Sequence, residues 1–202
     1  MQQSGRSVNL VRELYRQGPS YVFAKKPGEI AEEFGFSQVA RLASNENPFG
    51  PSPFAINEIN KAIDTINRYP DTTQPDLIHA LEKFHGKYSF VTGAGMDGVI
   101  ETCIRAIVNP GDKVAVSTPT FSFYGLATAA QGGTVENVPR NAEFSVDISS
   151  FISSARDAKI SFLCTPNNPS GTVTPVSDIE EILRDINGIL FLDNAYVEFS
   201  AE

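Results

Sequence analysis

Four short stretches of this chain carry residues whose types and spacing could do chemistry. Gly93-Ala-Gly-Met-Asp-Gly98 fits G-x-G-x-x-G and sits between a short apolar run and a helical pattern over Val99 to Val108. The backbone N–H groups of Gly95, Met96 and Asp97 would then open a helix and make a seat for one phosphate. Asp193 closes an apolar run, at the strand end where ligands of parallel sheets bind. A carboxylate there could pair with the protonated nitrogen of a heterocycle, and Tyr196, three residues on, could donate to an oxygen of the same ring. Asn168, in Pro166-Asn-Asn-Pro169, would bring an amide to the same edge, and Phe121, in PTFSFY, an aromatic face for a planar ring.

Each signal has a plainer alternative. A dinucleotide site would need an acid after the next strand, yet KVAVS runs into Thr118-Pro119-Thr120. The glycine stretch can equally be a turn with no ligand, Asp193 a cap for the following turn, and Tyr196 a packed surface residue. Pro166 to Gly171 is ordinary turn chemistry, and Phe121 can be core. His79 and His85, six apart, have no ligand-like neighbours, so no metal site is expected. Glu29, Glu32 and Glu33 read as a solvated helix face.

The elements that would position these residues form two patterns. Up to about Leu42 the chain is mixed and proline-punctuated, an arm or part of a smaller domain, and Ala43 to Pro53 is loop chemistry. Ser52 can cap a helix with Pro53 at its first position, and Ile56, Ile59, Ile63 and Ile66 recur on one face. A second helix is predicted from about Pro75, with Leu77, Leu81 and Phe84 inward. From Tyr88 onward short apolar runs (Ser89–Thr92, Lys113–Ser117, Thr134–Val138, Ile160–Cys164, Gly188–Leu192) alternate with helical stretches. Ser177 and Glu180 have the spacing of a capping box for the last of these. The alternation predicts an α/β fold, a mostly parallel sheet with helices on both faces.

Composition sets the outer limits. With 202 residues, 41% hydrophobic and 20% charged, the chain can bury a core. A formal charge of −8 argues against nucleic-acid and anionic-membrane partners, though not against a phosphorylated ligand. No apolar run is long enough to span a bilayer and no signal peptide is visible. Cys103 and Cys164 read as buried free thiols, which suits a reducing, cytoplasmic setting.

Taken in order, SNENPFGPSP (Ser44 to Pro53), NRYPD (Asn67 to Asp71), GAGMDG, STPTFSFY (Ser117 to Tyr124), CTPNNPSG (Cys164 to Gly171) and DNAY (Asp193 to Tyr196) resemble the class I/II aminotransferases, fold-type I pyridoxal-phosphate (PLP) enzymes, and most closely their histidinol-phosphate branch. The likeness runs from about Tyr21 to the end. It implies an arm and small-domain segment over 1–48 and part of the large cofactor domain over 49–202. It also implies that backbone around Gly95, Met96 and Asp97 holds the PLP phosphate, that Phe121 stacks on the ring, that Asn168 and Tyr196 bond the ring oxygen, and that Asp193 pairs with the ring nitrogen. Tyr69 would reach the cofactor phosphate of a partner subunit, implying a homodimer, and Tyr21 and Asn45 would lie near substrate. Departures are Gly98 for a common acid, Asn194 for a common glutamate (expected to be without effect), and Tyr21-Val-Phe-Ala-Lys25 for Tyr-x-Pro-Gly-Lys.

The family also uses a lysine that holds the cofactor as a Schiff base, and none of the seven lysines follows Asp193. The expectation is therefore a family function of transaminating histidinol phosphate with a 2-oxo acid, in histidine biosynthesis, with the 202-residue chain itself inactive. Alternatives are a threonine-phosphate decarboxylase on the same scaffold, a non-catalytic module that acts by binding, and, last, a nicotinamide-binding protein.

Overall fold

The computed structural model describes residues 10–17 and 25–200, which fall into two compact units, 25–91 and 10–17 with 92–200. Tyr21 lies outside the described residues.

The larger unit is built on four parallel strands, β1 (Lys113–Thr118), β2 (Thr134–Pro139), β3 (Ile160–Cys164) and β4 (Ile189–Asp193), in the spatial order β2-β1-β3-β4. Every residue of β3 is buried, as a strand covered on both faces requires, whereas β4 at the edge is mostly half-buried. The chain leaves β1 toward one side for β2, then crosses back for β3 and β4. Right-handed crossovers in opposite directions place their helices on opposite faces. Accordingly α5 (Gly95–Ile107) and α6 (Phe123–Gln131) cover one face, where Ile100, Ile104, Tyr124 and Ala127 meet Val114, Val116, Ile160 and Phe162. On the other face α7 (Ile148–Ala155) and α8 (Val176–Asp185) bring Phe151, Ile152, Ala155 and Ile182 onto Ala115, Val138 and Leu163. A five-residue helix, α1 (Glu13–Gln17), precedes them.

Entry to β4 depends on a missing side chain. A Cβ on Gly188 would lie 2.2 Å from the Ala158 carbonyl oxygen and 2.9 Å from that of Lys159, so only glycine lets the chain pass.

The smaller unit contains α2 (Pro27–Phe34), α3 (Pro53–Ala62) with a 3-10 turn at Ile63–Thr65, and α4 (Pro75–His85). Ser52 and Pro53 start α3 as expected, although Ser52 makes no side-chain cap bond. Glu29, Glu32 and Glu33 are exposed on α2.

Several sequence expectations need correction. Leu77 and Phe84 are exposed and Leu81 is only half-buried, because the described residues of this unit form no sheet for a one-sided helix to pack upon. Ile56, Ile59, Ile63 and Ile66 are exposed too. Ser89–Thr92 forms no strand, having no ladder partner. The helix after the glycines begins at Gly95, not Val99. The Ser177 capping box does not form: Pro175 takes the N-cap, and the Ser177 hydroxyl turns to Asp178.

Candidate active site

The chain order reverses between β1 and β3, the switch point at whose carboxyl ends open α/β sheets bind their ligands. Phe121 follows β1, Asn168 follows β3 and Asp193 ends β4. The sheet brings these three positions, scattered over the sequence, to one edge.

Asp193 is 3% exposed and stands in register with Cys164. Its Oδ2 accepts the hydroxyl of Tyr124, and its Oδ1 accepts the N–H of Ala195 at 3.0 Å. Among the described residues no cation forms an ion pair with it. Both donors are neutral, and each oxygen keeps a lone pair for a further partner. Tyr124 is itself fully buried, stacked on Phe162 at 4.6 Å between centroids. Burial first, then the bond to Asp193, pushes its hydroxyl far above the usual tyrosine value, so it stays a neutral donor. Phe121 is half-buried and meets Tyr124 edge-on at 5.6 Å.

The glycine turn ends in the N-terminus of α5. Gly95 adopts a left-handed backbone (φ 70°), and its N–H folds back onto the Gly93 carbonyl at 2.9 Å. Helix geometry leaves the N–H groups of Met96 and Asp97 without intrahelical acceptors. Of the expected trio, those two have the donors a phosphate needs, while Gly95 supplies the turn. Met96 packs its side chain on the core that holds Tyr124 and Phe162.

The loop bearing Asn168 is fixed by its neighbour. Asn167 is 2% exposed; its Oδ1 accepts Thr120 Oγ1 at 2.8 Å, and its Nδ2 donates to the Pro119 carbonyl at 3.2 Å and to Ser170 Oγ at 2.7 Å. Asn167 therefore latches this loop to the one carrying Phe121. The bonds Thr118–Pro119, Thr165–Pro166 and Asn168–Pro169 are cis. The turn after β4 is tied in as well: Thr165 N–H donates to the Asp193 carbonyl at 2.9 Å, and Asn194 Nδ2 to the Thr165 carbonyl at 2.7 Å. Asn194 thus has a structural effect, through a bond that glutamate could not donate. Asn168 and Tyr196 are both half-buried near this edge.

Tyr69 and Asn45 belong to the smaller unit; Tyr69 is fully exposed, and Asn45 has a left-handed backbone (φ 49°). Among the described residues no group of His, Cys, Asp and Glu is arranged to hold a metal, and no helix is long and apolar enough to cross a membrane. Sequence reasoning missed Tyr124, Asn167 and Arg140, the last a buried cation at the end of β2. The signals available were a tyrosine inside an apolar helix, whose hydroxyl must find a partner, and two polar residues flanking strand ends.

The family model for aminotransferase class I and II matches residues 37–202. A histidinol-phosphate aminotransferase of Methanoculleus marisnigri is 55% identical over 191 residues, covering 95% of this chain and 54% of its own. One from Methanocorpusculum labreanum is 58% identical, covering 89% and 52%. The crystal structure of histidinol-phosphate aminotransferase from Sinorhizobium meliloti in complex with pyridoxal-5'-phosphate is 26% identical with a TM-score of 0.81, covering 94% of this chain and 52% of that one. The chain spans about half the length of the curated relatives it matches.

Proposed function

Because the chain belongs to the aminotransferase class I and II family, we propose that its strand-end cluster is the ring- and phosphate-binding part of a pyridoxal 5'-phosphate site used in transamination. The observation that carries this reading is Asp193, a buried carboxylate with neutral donors on both oxygens and no ion-pair partner among the described residues. Such a group is costly until a cation meets it, and a protonated pyridine nitrogen is a cation of the right shape. The residues present fit the cofactor.

When bound, the cofactor supplies an electron sink for charge that develops at the α-carbon of an amino substrate. Asp193 would hold the proton on the ring nitrogen, and Tyr124 would keep the carboxylate aimed while excluding water from its inner side. Met96 and Asp97 would take the phosphate on backbone N–H groups, where the helix dipole also favours an anion. Phe121 would lie against the ring. The amide of Asn168 and the hydroxyl of Tyr196 would donate to the ring oxygen.

The names of the relatives support histidinol phosphate as one substrate, in histidine biosynthesis, and a 2-oxo acid such as 2-oxoglutarate would be the other. On the same analogy Tyr69 would reach the cofactor phosphate of a second copy in a homodimer, and Tyr21 and Asn45 would face the substrate. The free thiols suit a cytoplasmic setting. None of the seven lysines in the 202 residues follows Asp193, and none of them is assigned to hold the cofactor.

Titration with PLP, followed by ring absorbance, tests the reading. Asp193→Asn should weaken binding at least about tenfold, and pyridoxal lacking its phosphate should bind more weakly than PLP. Equal affinity of the wild-type and Asp193→Asn chains would overturn it. Adding histidinol phosphate to the PLP-loaded protein tests the substrate assignment, which an unchanged ring absorbance would overturn. Carbon dioxide released from phosphothreonine would replace the substrate assignment.

A further inference from the structure

Arg140 follows the last residue of β2 and is only 8% exposed. Burial pulls its guanidinium below the usual arginine value. Its partners are carbonyl oxygens rather than a carboxylate. Nη2 donates to the carbonyl of Cys164, the last residue of β3, at 3.3 Å, and Nη1 to that of Phe144 at 3.1 Å. Nε has no acceptor among the described residues. The Arg140 backbone N–H donates to the Thr118 carbonyl at 2.6 Å. One residue therefore ties the carboxyl ends of β2, β1 and β3.

The acceptor Phe144 is unusual. It has a left-handed backbone (φ 61°), which costs a bulky residue free energy. That conformation sits in a turn where Asn141 Oδ1 accepts the N–H groups of Glu143 and Ser145. The Phe144 carbonyl also accepts Thr172 Oγ1 at 3.0 Å. Ser170 Oγ lies 2.8 Å from Thr172 Oγ1 and accepts Asn167 Nδ2. Since the Thr172 proton goes to Phe144, Ser170 must be the donor to Thr172. The bonds then run in one direction, Asn167 to Ser170 to Thr172 to Phe144, each polarising the next, and end at the carbonyl that the guanidinium also holds.

We propose that Arg140 is a positioning residue for the loop that presents Asn168. Its planar fork spans two carbonyls on separate segments, a task for which a lysine point charge is poorly shaped. Through Phe144 and Thr172 it clamps the loop, and through the Cys164 carbonyl it fixes the strand end from which the loop departs. The link to Asn168 as a cofactor ligand rests on the function proposed above; the clamp itself does not.

Amide hydrogen exchange on the full chain tests the clamp without any cofactor. In Arg140→Leu the N–H groups of Asn167 and Gly171, which bond to the carbonyls of Thr172 and Asn167, should exchange at least about tenfold faster. Those of Phe151 and Arg156, at the two ends of α7, should be unchanged. Arg140→Lys should restore part of the protection. Thr172→Val, which keeps the charge and cuts one link, should loosen the loop in the same direction and decides the matter if Arg140→Leu does not fold. Unchanged loop exchange in either variant, or faster exchange in loop and α7 alike, would overturn the proposal. PLP affinity, measured in parallel, should fall in Arg140→Leu; if the wild-type chain binds no PLP, the functional reading fails while exchange still decides the role of Arg140.

Discussion

The Tyr124 hydroxyl donates to Oδ2 of Asp193 across 69 residues of sequence, joining the first turn of α6 to the end of β4. This bond orients the carboxylate from the core side while the Ala195 N–H holds the other oxygen. A charged acceptor raises the worth of such a bond above that of a neutral pair.

Tyr124→Phe keeps the stack on Phe162 and removes only the donor. It should lower stability by about 1–3 kcal/mol, the usual range when a buried acceptor loses its partner. Urea unfolding at neutral pH measures the loss, and PLP titration should show weaker binding of the same variant.

The raised titration of Tyr124 fixes a pH dependence. Its stabilising contribution is fully present below the ordinary tyrosine value of about 10. Above it the unfolded chain releases the proton while the folded chain retains it, so stability falls as pH rises. Cys164, also pushed up by burial, adds a fall of the same sign from a lower pH. Urea midpoints between neutral and strongly alkaline pH should therefore decline less steeply in Tyr124→Phe than in its parent, with Cys164→Ala as the background that isolates the tyrosine.

Gly188→Ala and Gly125→Ala should have opposite effects. A Cβ at Gly188 collides with the Ala158 carbonyl, whereas one at Gly125, within α6, has nothing within 4 Å. The first should cost about 1–3 kcal/mol or more through overpacking and shift β4. The second should stabilise by roughly 0.5–1 kcal/mol, since alanine is the better helix former. Thermal or urea unfolding of the two variants gives the comparison.

Asp147 caps α7, accepting the Ser150 N–H at 3.1 Å, and this bond holds its carboxyl below the usual range. Its contribution is present above the unfolded carboxylate value and is lost as pH falls through the folded one. Asp147→Ala should lower the urea midpoint at pH 7, and the gap between variant and parent should close as the solution is made acid.

The strand and helix alternation was legible because period and punctuation are local properties. The four apolar runs from Lys113 onward became β1 to β4 within a residue or two. Asp193, Asn168 and Phe121 were legible as positions at strand ends for the same reason. What could not be read was which polar groups meet in the interior. Asn167 and Thr120 are neighbours only because β1 and β3 pair, and Arg140 reaches Cys164 only because its backbone lies beside Thr118. Burial of the helix faces around Ile59 and Phe84 was equally illegible, since amphipathic spacing shows that a face is apolar but not that something covers it. The Ser177 box failed for a local reason: Pro175, two residues earlier, already suits the helix start.

The sheet order has a mechanical side. Among the described residues β4 is laddered only to β3, while β1 and β3 are each held from two sides. A load on the sheet would start at its two edges, β2 and β4, like the outer teeth of a zip, and Asp193 would go with β4 while β1 and β3 stayed joined. On the function proposed above, such a chain would forfeit ring binding well before its architecture, and a population that still looks folded by its helix content would already have lost the Asp193 carboxylate from its place.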